Sequence, residues 1–365
     1  MSDMVERVTR KNENRESELP LTISAQYGLI DQNEFFDKRI ASRDVSGYYL
    51  LKKGEFAYNK STSSDAPWGA VKRLDRYEMG VLSTLYIVFA LKENGNIDSD
   101  FLVSYYDTDC WHKGVQAIAA EGARNHGLLN ITPADYFETV LTVPSDVKEQ
   151  HQIGSFFAKL DTLITLHQRK YDKLTKVKKA MLEKMFPENG SPYPEIRFKG
   201  FTDAWEQRKL GDTVQITMGQ SPDGSTYSDV PSDYILVQGN ADLQNGWVSP
   251  RVWTSQMTKK ADAGDLIMSV RAPAGAMGKT AYNAVIGRGV AAIKGNEFIY
   301  QLLEKMDSDG YWKALSCGST FESLNSDNIK NADVLIPDVA EQEKIGEYFL
   351  AIDRLITLHQ RKPFC

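Results

Sequence analysis

Cysteine is scarce in this chain: Cys110, Cys317 and Cys365 are the only three in 365 residues, and no two stand close enough to form a CxxC pair. That spacing argues against a disulfide framework and a cysteine-based zinc site, and suits reduced thiols in a cytoplasmic protein. Long apolar runs are missing too. No stretch reaches the 18 residues or so that would suggest a membrane-spanning helix. The run Val81 to Leu91 is too short to span and reads as one buried strand. Met1-Ser-Asp-Met-Val-Glu-Arg7 has no apolar segment behind its charges, so no secretory leader is expected. Positive charge is not in excess either: 43 Lys and Arg face 49 Asp and Glu, for a net charge of −6. A generally basic nucleic-acid binder is disfavoured, although a local basic face is not.

Catalytic signatures are equally thin. There is no HExxH or GxSxG motif, and no Asn/Asp-Pro-Pro-Tyr/Phe of an adenine methylase. The segment Pro273-Ala-Gly-Ala-Met-Gly-Lys-Thr280 approaches a phosphate-binding loop, but Pro273 stands where its first glycine should be and removes a backbone N–H. Pro337-Asp338 with Glu341 and Lys344 approaches a nuclease motif, but Gln342 holds the place of the metal-binding acid. The chain is therefore expected to carry no catalytic residue and no metal.

What the chain does have is a repeat. Residues 149–170 (EQHQIGSFFAKLDTLITLHQRK) recur at 341–362 (EQEKIGEYFLAIDRLITLHQRK), with 14 of 22 positions identical at an offset of 192. Upstream, Leu141-Thr-Val-Pro144 matches Val334-Leu-Ile-Pro337, and Ser2-Asp-Met-Val5 can be laid on Gly211-Asp-Thr-Val214. This gives the order globular unit (1–146), helix (147–186), linker (187–204), globular unit (205–338), helix (339–362). The linker is punctuated by Pro187, Gly190, Pro192 and Pro194. Within each unit, short β-branched and aromatic runs alternate with turn residues: Leu21–Ser24, Glu55–Tyr58, Leu85–Leu91, Tyr234–Val237 and Asp265–Val270. The fold class expected is α+β: two mixed α/β domains in a pseudo-two-fold tandem repeat, separated by long helices able to form a coiled coil.

The first helix carries an apolar seam at 4,3,4,3 spacing, Ile153, Phe157, Leu160, Ile164, His167, Tyr171 and Leu174, continuing through Lys178, Met181 and Met185 and interrupted by the polar His167 and Lys178. About 34 residues of helix would reach ~50 Å, too far for one small domain to bury the whole stripe. The second copy offers a partner through Ile345, Phe349, Ile352, Ile356 and His359, so the two helices are expected to pair antiparallel. His167 and His359 are expected to be polar seam residues that fix register, since no further ligand stands near them at metal-binding spacing. Lys159, Arg169, Lys170, Lys173, Lys176, Lys179 and Lys184 form a basic outer face, either solvated or lying near DNA or an acidic partner.

The duplicated EQ..IG..F...D.LI.LHQRK, the stretch Lys173–Phe186 (KLTKVKKAMLEKMF) and the segment Phe198–Asp212 (FKGFTDAWEQRKLGD) resemble the specificity subunits of type I restriction-modification systems, particularly those of Gram-positive bacteria. The resemblance implies two target-recognition domains, each reading half of a split site on double-stranded DNA, with the helices setting the gap between the halves. It implies up to two methylation subunits as partners, carrying S-adenosylmethionine, and restriction subunits using ATP and Mg. No cofactor is expected in the chain itself, and no membrane partner. Two departures from the pattern stand out. Nothing ahead of Met1 corresponds to Phe198–Leu210, and nothing after Lys362 corresponds to Tyr171–Phe186, so the chain reads as shortened at both ends and its second half-complex as weakened. A truncated or orphan subunit, a methyltransferase-binding scaffold with weak or half-site DNA recognition, is the alternative.

DNA reading needs Arg, Lys, Asn or Gln on base edges, with Ser, Thr and backbone amides on phosphates. By that criterion the first domain offers Asn59, Lys60, Ser61, Thr62, Lys72, Arg73, Arg124 and Asn125. The second offers Lys259, Lys260, Ser269, Arg271, Lys279, Ser319 and Thr320. Trp247 and Trp253 are expected to serve sheet packing rather than base stacking.

Overall fold

The structure is a computed structural model that describes residues 1–24, 27–38, 40–119, 127–188, 190–316 and 323–360. It divides into two compact units, Met1–Thr165 and Leu166–Cys365. The division falls inside a single 39-residue helix, Val147–Met185.

Among its described residues, unit 1 has the short strands β1 (Val5–Arg7), β2 (Leu21–Ser24), β3 (Gly28–Asp31), β4 (Tyr49–Lys52), β5 (Phe56–Asn59), β6 (Ala70–Arg73), β7 (Met79–Leu82) and β8 (Ile87–Leu91). Strands β1, β8, β5 and β6 form an antiparallel sheet in that order, while β2 pairs with β3 and β4 with β7. Register places Phe56 opposite Phe89, and the two rings stack 5.3 Å apart. The Val81–Leu91 run is not one strand. Tyr86 N–H closes a turn on the Ser83 carbonyl (3.2 Å), so β7 joins β4 while β8 joins the four-stranded sheet. The apolar run marked burial correctly, but a turn in its middle sends its halves to different sheets.

The described helices ahead of the long one are α1 (Gln32–Phe36), between β3 and β4, and α2 (Ser99–Tyr106), α3 (His112–Ile118) and α4 (Pro133–Phe137), after β8. Helix α2 starts where Asp98 accepts the Phe101 N–H, with Asp100 in the first turn to complement the helix dipole. Helix α4 starts at Thr132, with Pro133 at the first helical position. Phe101, Leu102, Tyr105 and Tyr106 bring α2 into a core shared with Tyr58, Trp111 and Tyr136. The long helix Val147–Met185, α5, follows.

Unit 2 contains the rest of α5 and the strands β9 (Glu206–Lys209), β10 (Gln215–Met218), β11 (Tyr227–Ser228), β12 (Tyr234–Val237), β13 (Leu243–Gln244), β14 (Trp247–Val248), β15 (Val252–Thr254), β16 (Lys260–Ala261), β17 (Leu266–Ser269), β18 (Met277–Lys279), β19 (Ala284–Ile286), β20 (Val290–Lys294) and β21 (Asp333–Ile336). One sheet runs β10-β20-β17-β18-β14-β13, a second runs β11-β15-β12-β19-β16, and β9 pairs with β21. The helices are α6 (Leu210–Thr213), α7 (Glu297–Ser308), α8 (Tyr311–Ser316), α9 (Ser326–Lys330) and α10 (Val339–Gln360). Asn296 caps α7 by accepting the Ile299 N–H. The main core joins Phe298, Ile299 and Leu303 of α7, Leu182 and Met185 of α5, Trp205, and Ile345 and Phe349 of α10. The Pro273–Thr280 segment turns from β17 into β18, with no helix at its end whose N-terminus could hold a phosphate.

Among the described residues, no helix is long and apolar enough to cross a membrane. No group of three or more His, Cys, Asp or Glu among them is placed to hold a metal ion.

Candidate nucleic-acid interface

The repeated Pro, Gln and Gly of the helix motif build the same joint in each unit. In unit 1 the Gln150 side chain is buried. It accepts the Asp98 N–H (2.8 Å) and donates to the carbonyls of Pro144 (2.8 Å) and Asn96 (3.2 Å). One turn on, Gly154 lies so close to α2 that an added Cβ would stand 2.3 Å from the Phe101 nitrogen. In unit 2 Gln342 donates to the Pro337 carbonyl (2.9 Å) and accepts from Asn296 Nδ2 (2.9 Å). There Gly346 approaches the start of α7, where a Cβ would meet Glu297 Cβ at 3.0 Å. Each long helix is thereby fixed to the N-terminal end of a domain helix. Saturated amide bonds set its direction and a glycine permits the close approach.

Within unit 2, α5 and α10 meet at the motif's histidine. The Nδ1 atoms of His167 and His359 are 2.8 Å apart, so one ring donates and the other accepts. Further along, the Lys178 ammonium sits 2.7 Å from both Glu304 and Asp353, with its side chain 15% exposed. Burial by itself would lower its pKa. The charges and hydrogen bonds of Glu304 and Asp353 outweigh that and raise it. Gln301 Nε2 completes the cluster by donating to Asp353 (2.7 Å). Glu341, at the start of α10, is fully buried and held in a two-pronged pair by Arg197 at 2.7 and 2.8 Å. The seam spacing pointed to Lys178 only as an interruption, and nothing local in the sequence pairs Arg197 with a glutamate 144 residues away.

The expected pairing seam is not covered along its whole length. Ile345, Phe349 and Ile352 are buried and Ile356 is half-buried. Ile153, Tyr171 and Leu174 are half-buried, whereas Phe157, Leu160 and Ile164 are exposed. Of the basic outer face, Arg169, Lys173, Lys176 and Lys179 are exposed, and Lys184 pairs with Glu195 at 2.6 Å.

The candidate DNA-contacting residues separate into three groups. Exposed or half-exposed on loops and strand ends are Asn59, Lys60, Ser61, Thr62, Lys259, Lys260 and Arg271. Around Asn59 the loop is ordered by its own hydrogen bonds: Asn59 Oδ1 accepts the Ser61 N–H (3.0 Å), the Lys60 ammonium donates to the Ile131 carbonyl (3.3 Å), and Thr62 N–H donates to the Gly127 carbonyl (2.7 Å). Lys260 pairs with Asp262 at 2.9 Å, whereas Arg271 is exposed and makes no ion pair among the described residues.

A second group is committed to internal contacts. Arg73 is held by Asp75 (2.6 Å), Asp100 (2.8 Å) and Ser99 (2.7 Å), and Lys72 is paired with Asp107 at 2.6 Å. Lys279 turns inward onto both Glu297 oxygens (2.8 and 2.6 Å) and lies 4.1 Å from the centre of the Tyr300 ring. Ser269 is buried, its hydroxyl donating to the Arg271 carbonyl at 2.9 Å. For Lys279 and Ser269 the expectation of a DNA-facing side chain is corrected: both sit at strand ends, but their side chains satisfy polar groups of the core. The third group, Arg124, Asn125, Ser319 and Thr320, lies outside the described residues. Trp247, on β14, is half exposed, with its ring 5.7 Å from the ammonium of Lys279, its cross-strand partner on β18.

Comparison with known proteins follows from this geometry. Residues 202–363 match the family described as "Type I restriction modification DNA specificity domain". A putative type I restriction enzyme MjaX specificity subunit from Methanocaldococcus jannaschii is 26% identical over 283 residues, 74% of this chain. The chain spans 65% of the length of that M. jannaschii relative. Among solved structures, this chain is similar to a type I restriction-modification system S subunit from M. genitalium, with a TM-score of 0.63 at 14% identity, covering 98% of this chain and 89% of that one. It is also similar to a chain from a study of complex assembly and conformational transition of the type I R-M system, with a TM-score of 0.51 at 19% identity, covering 97% and 90%. At these identities the likeness shows the fold alone: a mixed α+β chain with a long helix.

Proposed function

We propose that this chain is the DNA sequence-specificity subunit of a type I restriction-modification complex. Each domain reads one half of a split site on double-stranded DNA, and the long helices set the gap between the halves. The chain docks methylation subunits, up to two of them, and joins restriction subunits in the full complex. Catalysis belongs to those partners: S-adenosylmethionine serves the methylation subunit, while ATP and Mg serve the restriction subunit. The chain itself supplies recognition without a catalytic residue or cofactor, in the cytoplasm. The single observation that carries this reading is the duplicated joint, in which Gln150 with Gly154 and Gln342 with Gly346 fix each domain to its helix by equivalent contacts. A reader of a split site needs two recognition bodies on a spacer of set geometry, since half-site spacing is dictated by protein geometry.

The test is methylome sequencing of cells that express this chain with its cognate methylation subunit and no other specificity subunit. A split motif methylated in both halves is expected. Absence of any new motif, with the methylation subunit still co-purifying, would overturn the reading in favour of a docking scaffold.

A further inference from the structure

The two copies of the helix motif have the same residues at their critical positions but different coverage. In unit 2 a single stretch, Lys178 to Lys209, lies over the second copy in three ways. Its strand β9 pairs antiparallel with β21, from Asp333↔Lys209 to Ile336↔Glu206. Its Arg197 neutralises Glu341. Its Leu182, Met185, Phe186 and Trp205 cover Phe349, which is 0% exposed.

Each of these features has an uncovered equivalent in unit 1. The segment Leu141–Val143, equivalent to Val334–Ile336, forms no strand and has none paired with it among the described residues, and neighbouring Val140 is 84% exposed. Glu149, equivalent to Glu341, is exposed and has no cation paired with it among the described residues. Phe157, equivalent to Phe349, is 46% exposed, and Phe156, Leu160 and Ile164 are exposed on the same helix. The backbone pattern at the edge is shared as well. The Met1 ammonium donates to the Thr139 carbonyl (2.8 Å) as the Leu210 N–H donates to the Ala332 carbonyl (2.9 Å). A segment without a strand partner, an acid without a cation and a contiguous apolar face side by side are the parts of a docking site.

We propose that this face of unit 1 binds a segment of a separate polypeptide with the chemistry of residues 171–209: an amphipathic helix ending in Met and Phe, then an arginine, a tryptophan and an edge strand. The strand adds to Leu141–Val143 by backbone hydrogen bonding, which gives affinity with little sequence demand. The arginine selects Glu149, a carboxylate that is tolerated in water but needs a bidentate partner once covered. The helix end and the tryptophan cover Phe157 and Leu160, the largest apolar contribution. The inference rests on the internal duplication and is independent of DNA reading, so a failed methylome experiment leaves it standing and the reverse also holds.

The experiment titrates the full chain into a fluorescently labelled synthetic peptide of residues 171–209 and follows anisotropy. Saturable one-to-one binding is expected. Phe157→Asp and Glu149→Arg should each weaken it by about tenfold or more, as loss of an anchor does. The peptide carrying Arg197→Glu should regain affinity for the Glu149→Arg chain. Both substituted side chains are exposed, so both variants should fold as the parent does, which circular dichroism checks. No saturable binding would overturn the proposal, as would binding indifferent to both substitutions or dimerisation of the chain through this face that the peptide does not displace.

Discussion

His167 and His359, 192 residues apart in the chain, meet Nδ1 to Nδ1 at 2.8 Å between α5 and α10. The contact holds only while one of the two facing nitrogens lacks a proton, because two N–H groups aimed at each other repel. Desolvation, then Lys170 and His167, hold the His359 pKa below its ordinary 6.5. A base with a depressed folded pKa stabilises the fold fully above its unfolded value and loses that contribution as pH falls through the folded one. Thermal stability should therefore fall as pH drops from about 7 towards 5. The double variant His167→Leu/His359→Leu should lose that acid-side step. An unchanged pH profile in the variant would show that other groups carry it.

Lys178 tests what an internal charge is worth. Its ammonium stands between Glu304 and Asp353 in a site that excludes most water. Lys178→Ala leaves two carboxylates facing each other without a cation, and stability should fall by about 3 kcal/mol, the scale for breaking a buried ion pair from one side. Urea unfolding followed by circular dichroism reads the loss. A change below about 0.5 kcal/mol would mean that the pair behaves as a surface one.

The joint glycines should differ in tolerance. A methyl group at either helical site gains up to about 1 kcal/mol in helix propensity, whereas overpacking costs about 1–3 kcal/mol. At Gly154 the obstacle is the Phe101 backbone nitrogen at 2.3 Å, so Gly154→Ala should destabilise the chain by about 2 kcal/mol. At Gly346 the first contact is Glu297 Cβ at 3.0 Å, which can give by a few tenths of an ångström, and Gly346→Ala should be close to neutral. Equal effects in thermal melts would contradict this account.

The surface and internal cations separate binding from folding. Arg271→Ala should weaken DNA binding across sequences or at one position, reduce the salt slope by about 1 if it contacts phosphate, and leave the melting temperature unchanged. Lys279→Ala should do the opposite: lower the melting temperature, because it strips a 2.6 Å partner from Glu297 and a cation from the Tyr300 face. Fluorescence anisotropy with duplex DNA and differential scanning fluorimetry on the same samples distinguish the two.

Much of this molecule was legible in its sequence because periodicity and duplication are local properties. The duplicated motif showed two related halves, and the turn residues around short β-branched runs showed α+β domains. The 4,3 spacing of Ile345, Phe349 and Ile352 showed which face of the second helix would be buried. Burial itself was not local. Phe157 and Phe349 occupy the same place in the same motif, yet one is half exposed and the other sealed, because only the second has the Lys178–Lys209 stretch over it. The same holds for charge. Lys279 and Arg271 both looked like loop cations in sequence, and only the position of Glu297 on α7 decided that one would turn inward and the other remain in solvent. Residue type and spacing determined which surfaces this chain could bury. The tertiary path of the chain decided which of them it did, since desolvation and pairing depend on what arrives in space rather than on what stands nearby in sequence.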